Sequence, residues 1–176
     1  VRDAIGLLRS TIPTTILIQS EIEEETDFVF GNSTQIHQIL INLCTNAAYA
    51  IRDASGRIDI RLKKHQMTET EANDLNLEPG FYFRLSVADN GKGMEPELQK
   101  RIFEPYFTTK ANGEGTGMGL SVDYGIVKSH GGEIDVQSAP GKGTEIHIFF
   151  PIISQNMPEQ PVIEPVHEFI GNGEQI

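Results

Sequence analysis

Asp89-Asn90-Gly91-Lys92-Gly93, followed by Gly113-Glu114-Gly115-Thr116-Gly117-Met118-Gly119-Leu120, sets two glycine-rich turns close together in one small chain. The run from Phe81 to Ala88 alternates like a half-buried strand, so Asp89 is expected at its C-terminal end, with its carboxylate in a cleft. The glycines that follow let backbone approach a ligand. The second turn ends where Leu120, Val122, Tyr124 and Val127 begin a helical spacing, which puts its amides at a helix N-terminus, a geometry that binds phosphate. Together the turns predict a nucleotide pocket.

Outward from this region, Ile5, Leu7, Leu8 and Ile12 predict a short helix ending before Pro13, and Thr15 to Ile22 alternates as a strand. Asn32 or Ser33 can cap a long helix in which Ile36, Ile39, Leu40, Leu43, Ala47, Ala50 and Ile51 form one stripe. Gln38, Asn42, Asn46 and Tyr49 share the adjoining face. Ser55-Gly56 turns the chain into a strand over Arg57–Leu62, and the polar, acidic stretch Thr68–Gly80 is expected to be a loop between paired strands. Gly119 to His130 reads as a helix stopped by Gly131-Gly132, and Glu133–Gln137 and Thr144–Phe150 read as a hairpin around Pro140-Gly141-Lys142-Gly143. No internal repeat is visible.

With 176 residues, 38% of them apolar, the chain can bury one sizeable core. A formal charge of -11 argues against a nucleic-acid partner, whose footprint is a basic stripe, yet Lys92, Lys100, Arg101 and Lys110 gather between the glycine turns, where an anionic ligand is expected. The single cysteine, Cys44, reads as core; it cannot form an intramolecular disulfide and is compatible with a reducing compartment. No apolar run is long enough to cross a membrane, and Arg2, Asp3 and Arg9 interrupt any signal-peptide core. From Pro151 the chain carries four prolines, four acids and no Lys or Arg, the composition of a linker. Because the chain opens directly in an amphipathic pattern without Met, it is expected to be a piece of something longer.

Asn42 and Asn46, one helical turn apart, could offer side-chain oxygens to a hard cation that also holds phosphates. Taken alone such a pair is more often solvated or capping, and Asp-Asn-Gly alone is a common turn. Asp-x-Gly-x-Gly, a 19-residue spacer with Phe103-Glu104-Pro105-Tyr106-Phe107-Thr108-Thr109-Lys110, and Gly-x-Gly-x-Gly-x-Gly-Leu form a far more specific combination.

In these stretches the chain resembles the catalytic ATP-binding domain of bacterial sensor histidine kinases, in the superfamily that includes gyrase, a heat-shock chaperone and mismatch-repair ATPases (GHKL). Gln38 to Ala47 resembles the N box, Asp89 to Gly93 the G1 box, Phe103 to Phe107 the F box, Gly115 to Gly119 the G2 box, and Pro140 to Ile148 the closing G3 element. The resemblance covers residues 11 to 151 and implies a two-layer α/β sandwich of the Bergerat type, a mixed sheet with helices on one face. It implies ATP and Mg²⁺ as cofactors. Asp89 would accept from the adenine amine, Gly91 and Gly93 would bring backbone close to the ring, and Thr144 would complete the adenine contacts. Asn46 would ligate Mg²⁺, with Asn42 supporting the metal or the phosphates. Residues 107–116 would form a lid: Phe107 and Thr109 border the nucleotide, Lys110 reaches the phosphates, and Gly115, Thr116, Gly117, Met118, Gly119 and Leu120 cradle them. Where many relatives carry Lys three residues after the metal asparagine, this chain has Tyr49, which is expected to pack beside the nucleotide; Lys92 is given no role.

Hydrolytic relatives place a Glu at the position of Asn42 to activate water, and asparagine cannot serve as that base. The expectation is therefore γ-phosphoryl transfer to a histidine on a separate dimerisation domain. An ATPase of the same superfamily and a non-catalytic module switched by ATP are the alternatives. None of His37, His65, His130, His147 and His167 lies in the long helical heptads a phosphoacceptor needs. The resulting domain expectation is a connection from an upstream dimerisation domain (1–12), the catalytic domain (13–151) and a linker (152–176). Gly171 to Ile176 resembles the lead into a receiver domain, which implies a hybrid kinase. The fragment is expected to be monomeric within a homodimeric parent, and this domain cytoplasmic beneath a parent that can be membrane-anchored.

Overall fold

Asn32 adopts an extended backbone, and its side chain accepts from the Thr34 amide at 2.9 Å, which starts the long helix α2 (Ser33–Ile51). The structure is a computed structural model that describes residues 1–23, 32–52, 55–110 and 115–152. Around α2 the chain forms α1 (Arg2–Thr11), β1 (Ile16–Ile22), β2 (Gly56–Met67), α3 (Glu69–Leu75), β3 (Gly80–Asp89), α4 (Pro96–Gln99), α5 (Gly119–Ser129), β4 (Glu133–Ala139) and β5 (Gly143–Pro151).

The five strands form one sheet in the order β1-β2-β3-β5-β4. β1 and β2 run parallel because α2 crosses over between them, and every other pairing is antiparallel, so the sheet is mixed. Strand alternation sends Ile58, Ile60, Leu85, Val87, Ile146 and Ile148 to one face, where they meet Ile39, Leu40, Leu43 and Ala47 of α2 and Ile126 and Val127 of α5 in a single apolar core. Cys44 belongs to that core; it is fully buried, and burial pushes its thiol up to about 12, which keeps it unreactive. Residues 1–12, expected as a connection, contribute Ala4, Ile5, Leu8 and Ile12 to the same core.

The structure corrects the stretch 68–80. It holds α3, which Thr68 opens with a capping box: the Thr68 hydroxyl accepts from the Glu71 amide while the Glu71 carboxylate accepts from the Thr68 amide at 3.0 Å. A seven-residue helix is too short for its periodicity to stand out, although Thr68-Glu69-Thr70-Glu71 carried the capping signal. α3 lies against the opposite face of the sheet, where Ala72 packs with Met67, Tyr82 and Phe149. The long helices thus share one face, and this short one covers part of the other.

β2 also extends past its expected end at Leu62 to Met67. Of the expected linker only Ile152 lies among the described residues; His167 and the segment 171–176 fall outside them. No helix of the described residues is long and apolar enough to cross a membrane.

Candidate functional site

The C-terminal end of β3 delivers Asp89 to the rim of a cavity of about 430 Å³ bounded by α2, the sheet and the segment leading into α5. Asp89 Oδ1 accepts from the Gly91 amide at 2.7 Å. Burial raises the Asp89 carboxyl above its ordinary value, opposed by that amide and by the Thr144 backbone. Across the β3–β5 ladder Asp89 pairs with Thr144, and both residues line the cavity.

The loop after Asp89 is pinned from two sides. Toward α2, the Lys92 amide donates to the Ala50 carbonyl at 3.1 Å, and a Cβ on Gly91 would stand 2.7 Å from the same oxygen. Toward the β4–β5 turn, the Gly141 amide donates to the Lys92 carbonyl at 2.7 Å. Gly93 has φ +66°, and its absent side chain would strike the Ala139 carbonyl, so glycine there answers to backbone contact with the turn as well as to the cavity it lines. Ser138 ties these pieces together: its hydroxyl donates to the Gly143 carbonyl at 3.0 Å, accepts from the Met94 amide at 2.9 Å and lies 2.9 Å from Thr144 Oγ1. Gln99 Nε2 donates to the Ser138 carbonyl at 2.8 Å.

From the helix side of the cavity, α2 presents Asn42, Asn46 and Tyr49. The Lys110 ammonium donates to Asn46 Oδ1 at 2.8 Å and sits 5.0 Å from the centre of the Tyr49 ring. Lys92 Nζ lies 5.9 Å and the Arg52 guanidinium 5.2 Å from the same centre, so three cations surround one aromatic ring. Asn42 Nδ2 donates to Asp123 Oδ1 at 2.9 Å. Asp123 is fully buried on α5, and burial pushes its carboxyl up to about 7 against the opposing bond from Asn42.

Of the residues singled out in the sequence, Phe107, Thr109, Gly115, Thr116, Gly117, Gly119 and Leu120 also line the cavity. Gly91 and Met118 do not; Met118, the residue before α5, is 42% exposed. Residues 111–114 of the expected lid lie outside the described residues. Sequence reasoning missed Asp123, Ser138 and Gln99. Asp123 had left a signal: an acid at the i position of an i, i+3, i+4 set with Ile126 and Val127, on the helix face that must be buried.

The residues fit a nucleotide and a cation brought in with it. Leu43, Ala47, Val87 and Ile146 give the cavity apolar walls for a flat ring, and amide oxygens with nearby ammonium groups also line it. No group of three His, Cys, Asp or Glu that could hold a metal ion exists among the described residues. Mg²⁺ held by one or two protein oxygens, with phosphates supplying the rest, suits such a donor set, and the Asn46 oxygen already accepts a cationic group.

The family model described as "Histidine kinase-, DNA gyrase B-, and HSP90-like ATPase" matches residues 31–154. Among curated proteins, the sensor histidine kinase ZraS of Klebsiella oxytoca is 41% identical over 126 residues, 72% of this chain and 24% of that protein. Sporulation kinase E of Bacillus subtilis is 34% identical over 161 residues, 91% of this chain and 20% of that protein. The chain thus spans a fifth to a quarter of the length of these relatives. Among solved structures, the nucleotide-free catalytic domain of histidine kinase ThkA superposes with a TM-score of 0.67 at 30% identity, covering 85% of this chain and 88% of that one. A mycobacterial sensor histidine kinase, MprB, shares the fold with a TM-score of 0.69 at 24% identity, covering 86% of this chain and 92% of that one.

Proposed function

We propose, for a chain that belongs to the histidine kinase-, DNA gyrase B- and HSP90-like ATPase family, that it binds Mg-ATP and hands the γ-phosphoryl group to a histidine on a separate dimerisation domain. The observation that carries this reading is the gathering of Asp89, Asn42, Asn46 and Lys110 around one cavity.

Asp89, fixed by the Gly91 amide, keeps carboxylate capacity to accept from an exocyclic amine, a donor that adenine has and guanine lacks at that position. The backbone amides around Gly117 and Gly119, at the start of α5, and the Lys110 ammonium stabilise phosphate charge. Asn46 would hold the Mg²⁺, and Asn42 would support it from the preceding turn. Held there, Mg²⁺ would neutralise phosphate charge. An amide at Asn42 cannot take a proton from water, so Asn42 cannot serve as the general base for hydrolysis. That favours transfer over hydrolysis.

The test is reconstitution with the dimerisation portion of the parent protein and γ-labelled ATP. Acid-labile, base-stable label on that portion is the expected result. Bound ATP with release of inorganic phosphate alone would favour an ATPase, and bound ATP with neither product a switch module.

A further inference from the structure

Asp123 is a carboxylic acid fully buried where α5 crosses α2, on the same helix face as Ile126 and Val127. Its Oδ1 accepts from Asn42 Nδ2 at 2.9 Å, and its Oδ2 has no hydrogen-bond partner. Packing alone does not call for such a residue, because an apolar side chain of similar volume would fill the space without desolvating a carboxyl. What the carboxyl does accomplish is to fix the Asn42 amide. Asn42 lines the cavity, and if its amide flipped while the Asp123 carboxyl is ionised, the Asn42 carbonyl oxygen would face a carboxylate oxygen, acceptor against acceptor. One turn along α2, Asn46 likewise turns its oxygen toward a cation, the Lys110 ammonium.

We propose that Asp123 is a positioning residue of the nucleotide site: by accepting from Asn42 Nδ2 it commits Asn42 to face the ligand as an oxygen donor to a phosphate-bound divalent cation, not as an N–H donor to phosphate. The inference rests on the Mg-ATP reading above. It gives Asn42 and Asn46 the same polarity at successive turns of one helix. With an apolar residue at 123, the Asn42 amide would be free to rotate and give its N–H groups to phosphate oxygens, trading cation affinity for direct phosphate contact.

The experiment compares wild type with Asp123→Leu, which removes the acceptor, and Asp123→Asn, which keeps a carbonyl acceptor. ATP affinity is measured by calorimetry in Mg²⁺ and in EDTA, and thermal midpoints are recorded without nucleotide. For Asp123→Leu the affinity gained on adding Mg²⁺ is expected to shrink roughly tenfold, as for the loss of one hydrogen bond to a charged group. Its affinity in EDTA is expected to hold or rise, and its thermal midpoint to hold or rise. Asp123→Asn is expected to retain most of the Mg²⁺ gain. A Mg²⁺ gain as large in Asp123→Leu as in wild type would overturn the proposal. So would parallel loss of thermal midpoint and affinity in both variants, since that marks a structural role. If Asp123→Leu does not fold, Asp123→Val takes its place, and the Asn42 side-chain amide resonances, assigned by their loss in Asn42→Leu, decide. One of the two hydrogens displaced downfield in wild type and back at the ordinary amide position in Asp123→Val supports the bond to Asp123, and unchanged shifts between the two proteins overturn it. Absence of any Mg²⁺ gain in wild type would bring down the Mg-ATP reading itself, and this inference with it.

Discussion

The Lys110 ammonium and the Asn46 side-chain oxygen are joined at 2.8 Å, so the oxygen proposed to ligate Mg²⁺ is already engaged by a lysine of the chain. Lys110→Ala therefore removes a phosphate contact and a competitor at once. ATP affinity is expected to fall about tenfold, the worth of a charge-assisted hydrogen bond, while the Mg²⁺ concentration needed for half-maximal binding falls rather than rises. Titrating Mg²⁺ at fixed ATP separates the two effects. A higher Mg²⁺ requirement in the variant would show that Lys110 and the cation do not compete.

Tyr49 holds Lys110 from the side through its ring face at 5.0 Å. Tyr49→Phe keeps the ring and is expected to bind ATP like wild type. Tyr49→Ala is expected to weaken binding by about 0.5–1 kcal/mol, the usual worth of a cation–π contact at an accessible site. Calorimetric ATP titration of both variants checks this, and equal losses in the two would point to the phenolic oxygen instead of the ring.

Asp89→Ala removes the acceptor at the base end of the cavity. Discrimination between ATP and GTP is expected to collapse, with a loss of about 1.5–3 kcal/mol for ATP, while the Mg²⁺ dependence persists. Asn46→Ala is expected to show the reverse pattern. Competition titrations with both nucleotides, with and without Mg²⁺, measure the four quantities, and identical behaviour of the two variants would refute the division of the cavity into base and phosphate ends.

On the far face of the sheet, His147 Nδ1 lies 2.9 Å from Ser86 Oγ, both residues being buried. Burial depresses the His147 pKa below its ordinary value, Arg84 and Arg61 add to that, and Glu145 and Asp135 oppose it. Below about pH 6.5 the unfolded histidine takes up a proton that the folded one resists, so this group's stabilising contribution, present above pH 6.5, is lost as pH falls toward the depressed folded value. Thermal midpoints from pH 7.5 to pH 5 are expected to fall more steeply for wild type than for His147→Gln. Parallel slopes would exclude His147 as the source.

Much of this site was legible in the sequence because its signals are local. Asp89 with its glycines, the Asn42–Asn46 spacing on α2 and the glycine turn before α5 each declare themselves within a few residues, and all but Gly91 and Met118 of the residues picked from them line the cavity. Asp123 and Ser138 act across the fold, 81 residues from Asn42 and 44 from Met94, and no short window contains both partners. α3 escaped for a different reason: with seven residues and Ala72 as its one buried member, it offers no stripe to count, and its start is marked only by the Thr68–Glu71 box.

The hydroxyl of Ser138, shared among the Gly143 carbonyl, the Met94 amide and Thr144, ties the part of the cavity around Asp89 into the sheet. If that part takes a base, as proposed, an arriving ring would find its contour in place, with little ordering entropy spent there. The proposed phosphate contact falls to Lys110, whose ammonium already gives one of its hydrogens to Asn46 and would have to rearrange around a ligand's phosphates. If Asp89 and Lys110 have the roles proposed, association is expected to be ordered, with base recognition first and the rearrangement of Lys110 following as a separate step.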